Sequence, residues 1–160
     1  MNNTGSDKEK VIIYTDGGCS PNPGTGGWAA ILISPGHGNF KKEISGAEPT
    51  STNNRMELTA AIKALESLKR PCSITLITDS EYLKKAFTDK WLDKWQINGW
   101  KTASKKPVSN EDLWRKLIEL EDNHEIKWEW VKGHSDNVYN ERCDYLVKQA
   151  RDNYINSKIL

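Results

Sequence analysis

"VIIYTDGG" (Val11–Gly18) runs β-branched and aromatic residues together, ends them on a carboxylate and follows that with two glycines. The run reads as a buried strand. Alone, Asp16 reads as a turn aspartate, because Asp followed by Gly ends many strands. The pattern recurs in "SITLITD" (Ser73–Asp79), an apolar strand that also ends on an aspartate and leads into the helical "SEYLKKAF". A strand feeding a helix in this way predicts α/β crossovers. In such sheets the carboxyl ends of the strands are where sites assemble, so two aspartates placed there say more than one.

Between these strands, the Gly/Pro-rich "GGCSPNPGTGG" leads to "GWAAILIS" and "NFKKEISG", separated by "PGHG". This order predicts an antiparallel meander. "TNNRMELTAAIKALESLKR" predicts a long helix, since Leu58, Ala61, Ile62, Leu65 and Leu68 recur at helical spacing. Thr52 or Asn53 can cap its start, and Pro71 lies beyond its end. A Trp- and Lys-rich segment occupies residues 90 to 106. The helix "NEDLWRKLIELEDN", the alternating strand "EIKWEWVKG" and a last helix from Asn137 to Asp152 follow. The fold class is α/β, with a meander first and crossovers after it. The expected division is a disordered leader over 1–10, one domain over 11–152 and a tail over 153–160.

A chain of 160 residues with 36% hydrophobic content can bury one core without staples. Its 23 basic and 22 acidic residues announce no global field for nucleic acid or membrane. The distribution is less even. Residues 84 to 106 hold seven Lys against two Asp, a local +5, which leaves −4 for the rest of a chain totalling +1. Cys19, Cys72 and Cys143 are odd in number and form no CxxC, which argues against a disulfide framework and a zinc site. Together with the lack of an apolar leader or an 18-residue apolar run, this points to the cytoplasm and away from membranes.

Two further carboxylates belong with Asp16 and Asp79. Glu57 has Ala60, Ala61 and Ala64 at i+3, i+4 and i+7, so it shares the small-residue side of its helix, which can approach a sheet closely. Asp144 borders the apolar stripe of the last helix formed by Tyr139, Cys143, Leu146, Val147 and Ala150. Each acid alone is ordinary turn, cap or boundary chemistry. Four of them converging would repel and raise one another's pKa unless cations neutralise them. Oxygen-only ligands favour the hard ions Mg²⁺ or Mn²⁺, and a shared aspartate can bridge two ions about 3.5–4 Å apart for phosphoryl chemistry.

"YTDGG", "NPGTGGWAAIL", "TNNRMEL", "ITDSEYL" and "VKGHSDNVYNERCD" occur in an order that resembles the bacterial type 1 ribonuclease H family, from Val11 to Asp152. The resemblance implies a mixed five-stranded sheet flanked by helices. It also implies an endonuclease that cuts the RNA strand of RNA/DNA hybrids with two Mg²⁺ ions, Mn²⁺ substituting, and leaves 5′-phosphate and 3′-hydroxyl ends. By motif, Asp16, Glu57, Asp79 and Asp144 match the family's metal-binding acids, with Asp16 central and its glycines giving substrate room. His134 matches the family's mobile histidine, which shuttles protons or helps product leave. Imidazole, with an ordinary pKa of about 6.5, suits that task.

On the substrate side, Asn22, Asn53 and Asn54 match positions that contact the RNA strand in the minor groove. Amides suit the 2′-hydroxyl, which both donates and accepts. Thr52 resembles a phosphate-binding threonine on the DNA strand. Trp91, Trp95 and Trp100, with Lys94, Lys101, Lys105 and Lys106, fall in the family's basic protrusion, a handle for the DNA strand. Trp114 and Trp128 are expected to pack, and His37 and His124 to lie on the surface. The family suggests a monomer.

Three features depart from the family pattern: Glu81 replaces an amide, Thr50 sits where others place an arginine, and "DKWQINGW" is poorer in Lys and Arg. All three point to weaker substrate affinity. Two rivals follow: another nuclease of the same fold acting on DNA, and a non-catalytic hybrid-binding module. The intact "TNNRMEL" and the Trp/Lys handle disfavour the first, and the presence of all four acids disfavours the second.

Overall fold

The computed structural model describes residues 8–132 and 137–158. Three strands come first, β1 (Glu9–Cys19), β2 (Gly24–Ser34) and β3 (Phe40–Ser51), then α1 (Asn53–Glu66) and β4 (Cys72–Thr78). α2 (Glu81–Thr88), α3 (Trp91–Asn98), α4 (Glu111–Glu121), β5 (Glu125–Trp130) and α5 (Val138–Ser157) complete the chain. One sheet results, in the order β3-β2-β1-β4-β5. The first three strands pair antiparallel, and β4 and β5 run parallel to β1. The expected mixed five-stranded α/β sheet is what forms.

The unbroken apolar runs of β1 and β2 have a simple cause: both faces are covered. Val11, Ile13, Ala30 and Leu32 face a core closed by Leu58, Ala61, Ile62 and Leu65 of α1, with Trp114 and Leu117 of α4 and Leu83 of α2. The alternate residues Tyr14, Ala29, Ile31 and Ile33 meet Cys143, Leu146 and Val147 of α5 on the other face. Each fully buried aliphatic side chain contributes about 1.5–3 kcal/mol, so the two cores together hold the sheet between its two helical layers. Trp114 is wholly buried and Trp128 packs against the first core, as expected of both.

Two glycines set how close those helices come. A Cβ on Gly17 would overlap the Met56 backbone of α1, and one on Gly27 would lie 2.5 Å from the Val147 carbonyl of α5. Gly17 therefore makes room for a helix backbone, not for substrate. Three helices begin on side-chain caps. Thr52 accepts from the Arg55 amide, Ser80 from that of Leu83, and Asn137 from those of Tyr139 and Asn140.

Several boundaries differ from expectation. Glu9 and Lys10, read as part of the leader, already belong to β1, because the parallel ladder with β4 starts at Glu9 and Cys72. At the other end α5 runs on to Ser157. β3 pairs with β2 alone and leaves Phe40, Lys41, Lys42 and Glu43 exposed at the sheet edge. His124 is no free surface residue either. Its Nδ1 accepts from the Cys72 amide at 3.0 Å, and burial, then Lys8, lowers its pKa. His37 is exposed, with Nε2 3.3 Å from Glu9.

Candidate active site

β1 loses β4 as a partner after Tyr14, which pairs with Ile77, yet continues beside β2 as far as Cys19. Asp16 is thus not the last residue of its strand. It sits where one side of β1 is open and the other remains clamped, paired to Ala29. Continuing the parallel register by two residues brings Asp16 beside Asp79, the residue that follows β4. Glu57 arrives from α1 on one face of the sheet and Asp144 from α5 on the other. The topology alone carries acids 16, 57, 79 and 144 to one edge.

They lie close enough to influence one another's charge. Burial pushes the Asp16 carboxyl from 3.8 up to about 7, and Asp79, Asp144 and Glu57 all push the same way, against a bond from the Gly17 amide. That amide donates to Asp16 Oδ1 at 2.9 Å. Glu57 is likewise raised to about 7, mainly by burial and then by Asp79, while a hydrogen bond from Ser80 opposes. Asp144 is half-exposed, with Lys148 one turn on at 2.9 Å. Cys143, behind the site, has its thiol pushed far up by burial and by Asp16. It is a packing residue and no nucleophile.

Among the described residues, no three His, Cys, Asp or Glu side chains are already gathered tightly enough to hold an ion. Unneutralised carboxylates are expected to stand apart in this way. The donor chemistry nevertheless fits a hard divalent cation, since four carboxylates supply only oxygen and a cation would offset the burial, and after it the repulsion, that keeps Asp16 and Glu57 protonated up to about 7. His134 lies outside the described residues.

Around this edge the polar side chains are already oriented. Asn53 Oδ1 accepts from the Cys19 amide at 2.7 Å, and Asn22 Oδ1 accepts from the Asn53 amide at 3.1 Å. Both amides thereby tie the loop after β1 to the start of α1 by their oxygens, leaving their NH₂ groups available. Asn54 and Thr52 are exposed at the same helix start. The Thr52 oxygen caps α1, and its hydroxyl proton remains for a ligand.

The handle is a separate piece. α3 is followed by a turn closed by an antiparallel bridge between Lys101 and Pro107, with Asn98 bonded to Lys101 and Thr102 to Lys106. Lys94, Lys101, Lys105 and Lys106 are exposed, and no carboxylate pairs with them among the described residues. Trp91 and Trp95 are half-buried, their rings 5.7 Å apart. Trp100 corrects the expectation that it faces substrate. It is 6% exposed, packed into the first core between Trp95 and the Arg115 guanidinium, which lies 4.7 Å from its ring.

Sequence reasoning missed Ser80, which is 2% exposed and both caps α2 and supports Glu57. Its place directly after Asp79 was the available signal. It also missed the links from Arg55 to Asp112 and Asn110 and from Asn110 to Tyr82, which span too much chain to be read from spacing.

The family model for RNase H matches residues 8–152. A ribonuclease H of Prosthecochloris aestuarii is 56% identical over 146 residues, spanning 91% of this chain and 98% of that protein. Among solved structures, LC9-RNase H1, a type 1 RNase H with the type 2 active-site motif, aligns with a TM-score of 0.80 at 27% identity over 91% of this chain and 74% of that one. LC11-RNase H1 in complex with an RNA/DNA hybrid aligns with a TM-score of 0.70 at 24% identity, over 91% and 99%, a likeness of fold.

Proposed function

The chain belongs to the ribonuclease H family, and from that premise we propose that it hydrolyses the RNA strand of RNA/DNA hybrids with two divalent ions, leaving 5′-phosphate and 3′-hydroxyl ends. One observation carries the reading. Acids from both faces of the sheet are delivered to one edge, and two of them are held near pKa 7 by burial and mutual repulsion. Carboxylates whose charged forms are disfavoured by burial and crowding are ones that a bound cation would stabilise.

Asp16, Glu57, Asp79 and Asp144 would hold the ions. Asp16 would be the central ligand, as the family resemblance implies; the sheet fixes its backbone and the Gly17 amide holds one carboxylate oxygen. Bound there, Mg²⁺ or Mn²⁺ would polarise an attacking water and offset charge on the leaving oxygen. Asn22, Asn53 and Asn54 offer amide donors to 2′-hydroxyls of the RNA strand. Thr52 and the four handle lysines hold phosphates of the DNA strand. His134 exchanges a proton near neutrality or assists product departure. No helix among the described residues is long and apolar enough to cross a membrane. We place the enzyme in the cytoplasm as a monomer, to be checked by size-exclusion with light scattering.

The decisive experiment offers end-labelled RNA/DNA hybrid, double-stranded RNA and double-stranded DNA in Mg²⁺, in Mn²⁺ and in excess chelator. RNA-strand cuts in the hybrid alone, abolished by chelator, with products whose 5′ ends can be ligated, are expected. Cutting of double-stranded DNA, or of hybrid in chelator, would overturn the proposal.

A further inference from the structure

Asn110 opens α4 in a way that forgoes local stability. An asparagine there normally bonds the helix's first amides with its own side chain. Here it takes a left-handed backbone, φ 62°, and makes no cap bond. Its side chain is committed elsewhere: Oδ1 accepts from Arg55 Nη1 at 3.3 Å, and Nδ2 donates to the Tyr82 hydroxyl at 3.2 Å. Backbone outliers retained against a local alternative are signs of a task.

The bonds on either side form a chain. Arg55, in the first turn of α1 two residues before Glu57, grips Asp112 through both terminal guanidinium nitrogens, at 3.1 and 2.8 Å. Tyr82 lies three residues after Asp79, and its hydroxyl also accepts from Trp114 Nε1 at 2.9 Å. The Tyr82 ring stands 6.2 Å from Trp91 and 5.3 Å from Trp114, and Trp95 packs against Trp91 and Trp114 in turn. The start of α1, the start of α2, the start of α4 and the handle helix are thereby joined by one set of side chains. Two of those starts carry or adjoin Glu57 and Asp79.

We infer that Arg55, Asp112 and Tyr82 are positioning residues that fix the distance between the handle and the carboxylate edge, and so set where along a bound hybrid the cut falls. None touches the reacting atoms. The inference rests on the handle reading made above, that α3 and its lysine turn grip the DNA strand. A hybrid bound at both places is measured by the protein as if by a rule, and Tyr82 is the joint of that rule. Loosening the joint leaves each end able to work but no longer in register with the other.

Tyr82→Phe removes the shared acceptor and keeps the ring packing. Asp112→Asn weakens the grip on Arg55. Each is tested on a hybrid long enough to span handle and carboxylates and on one too short to reach the handle, with melting temperatures recorded alongside. Expected are a five- to tenfold loss of affinity for the long hybrid, about one hydrogen bond's worth, a wider spread of cutting positions on it, and short-hybrid rates within about twofold of wild type. The exchanged pair Arg55→Asp with Asp112→Arg should restore the narrow cutting pattern. Equal slowing on both lengths with an unchanged pattern would overturn the inference, as would an unaltered pattern and affinity on the long hybrid. The handle reading has its own signature: if neutralising the four handle lysines leaves long-hybrid affinity unchanged, that reading falls and takes the coupling with it.

Discussion

The carboxylate edge and the handle solve opposite problems with opposite means. The edge draws residues 16, 57, 79 and 144 from four elements and holds two of them buried enough to stay protonated to about 7. The handle is continuous in sequence, its four lysines lie in solvent, and local turn bonds organise it. Chemistry needs acids desolvated and crowded, because only then does a cation gain much by arriving. Grip needs cations hydrated and spread, because phosphate binding draws on released counterions. A change at the edge should therefore alter turnover and folding together, while a change in the handle should alter affinity alone.

The largest break in that comparison comes from Asp16→Asn. With Asp16 in its proposed place as central ligand, losing its charge should lower kcat/KM on the order of a thousandfold. Thermal unfolding of the metal-free protein should meanwhile shift upward, because a desolvated, repelled acid is gone. Retention of a tenth of wild-type turnover in Mg²⁺ would remove Asp16 from its assigned place.

Next is pH. Folded Asp16 and Glu57 keep their protons up to about 7, whereas the unfolded chain releases them near 3.8 and 4.5, so the metal-free fold loses stability as pH rises through that window. Stability that these two groups favour is fully present below about 4 and gone above about 7. Urea midpoints at pH 5 and pH 8, without metal, should differ in that sense, and Asp16→Asn should flatten the difference. Saturating Mg²⁺ or Mn²⁺ at pH 8 should recover the loss. A midpoint rising over that interval in wild type but not in the variant would contradict the edge's assignment.

A smaller effect belongs to the handle. Replacing Lys94, Lys101, Lys105 and Lys106 with Gln should raise KM about tenfold near physiological salt and flatten its salt dependence by about three to four ions, with kcat little changed. Unaltered KM and slope would make the segment a structural excursion only. The smallest change is expected far from both regions. His124→Ala strips the acceptor from the Cys72 amide and should cost about 1 kcal/mol, roughly 2–4 °C in melting temperature. Neither kcat nor KM should move, and a shift in either would show that the edge and handle are not the only functional parts.

The acids were legible in sequence for a reason. A strand's end and a helix's small face are local properties, so Asp16, Asp79, Glu57 and Asp144 announced themselves through neighbours a few residues away. Even there, the reading of Asp16 as a strand's last residue failed, because only pairing reveals that β1 loses one partner before the other. Trp100 looked like a handle residue by composition. Its burial depends on Trp95 beside it and on Arg115 approaching from α4, neither of which composition records. His124 and Tyr82 share that difficulty, since their partners lie 52 and 28 residues away. Glu9 was placed outside the domain because a polar residue at a chain's start resembles a tail until β4 is seen beside it.

β3 carries a last consequence. Among the described residues no further strand pairs with its outer edge, which is the geometry on which a second chain starts a fibril. Lys41, Lys42 and Glu43 stand there in solvent, and Arg142 of α5 clasps Glu43 through two bonds of 2.7 and 3.0 Å. A stacked copy in register would have to bring lysine against lysine. Loss of charge at Lys41 and Lys42 should therefore show first as turbidity in concentrated solution, with the rate of RNA cleavage in dilute solution left as it was.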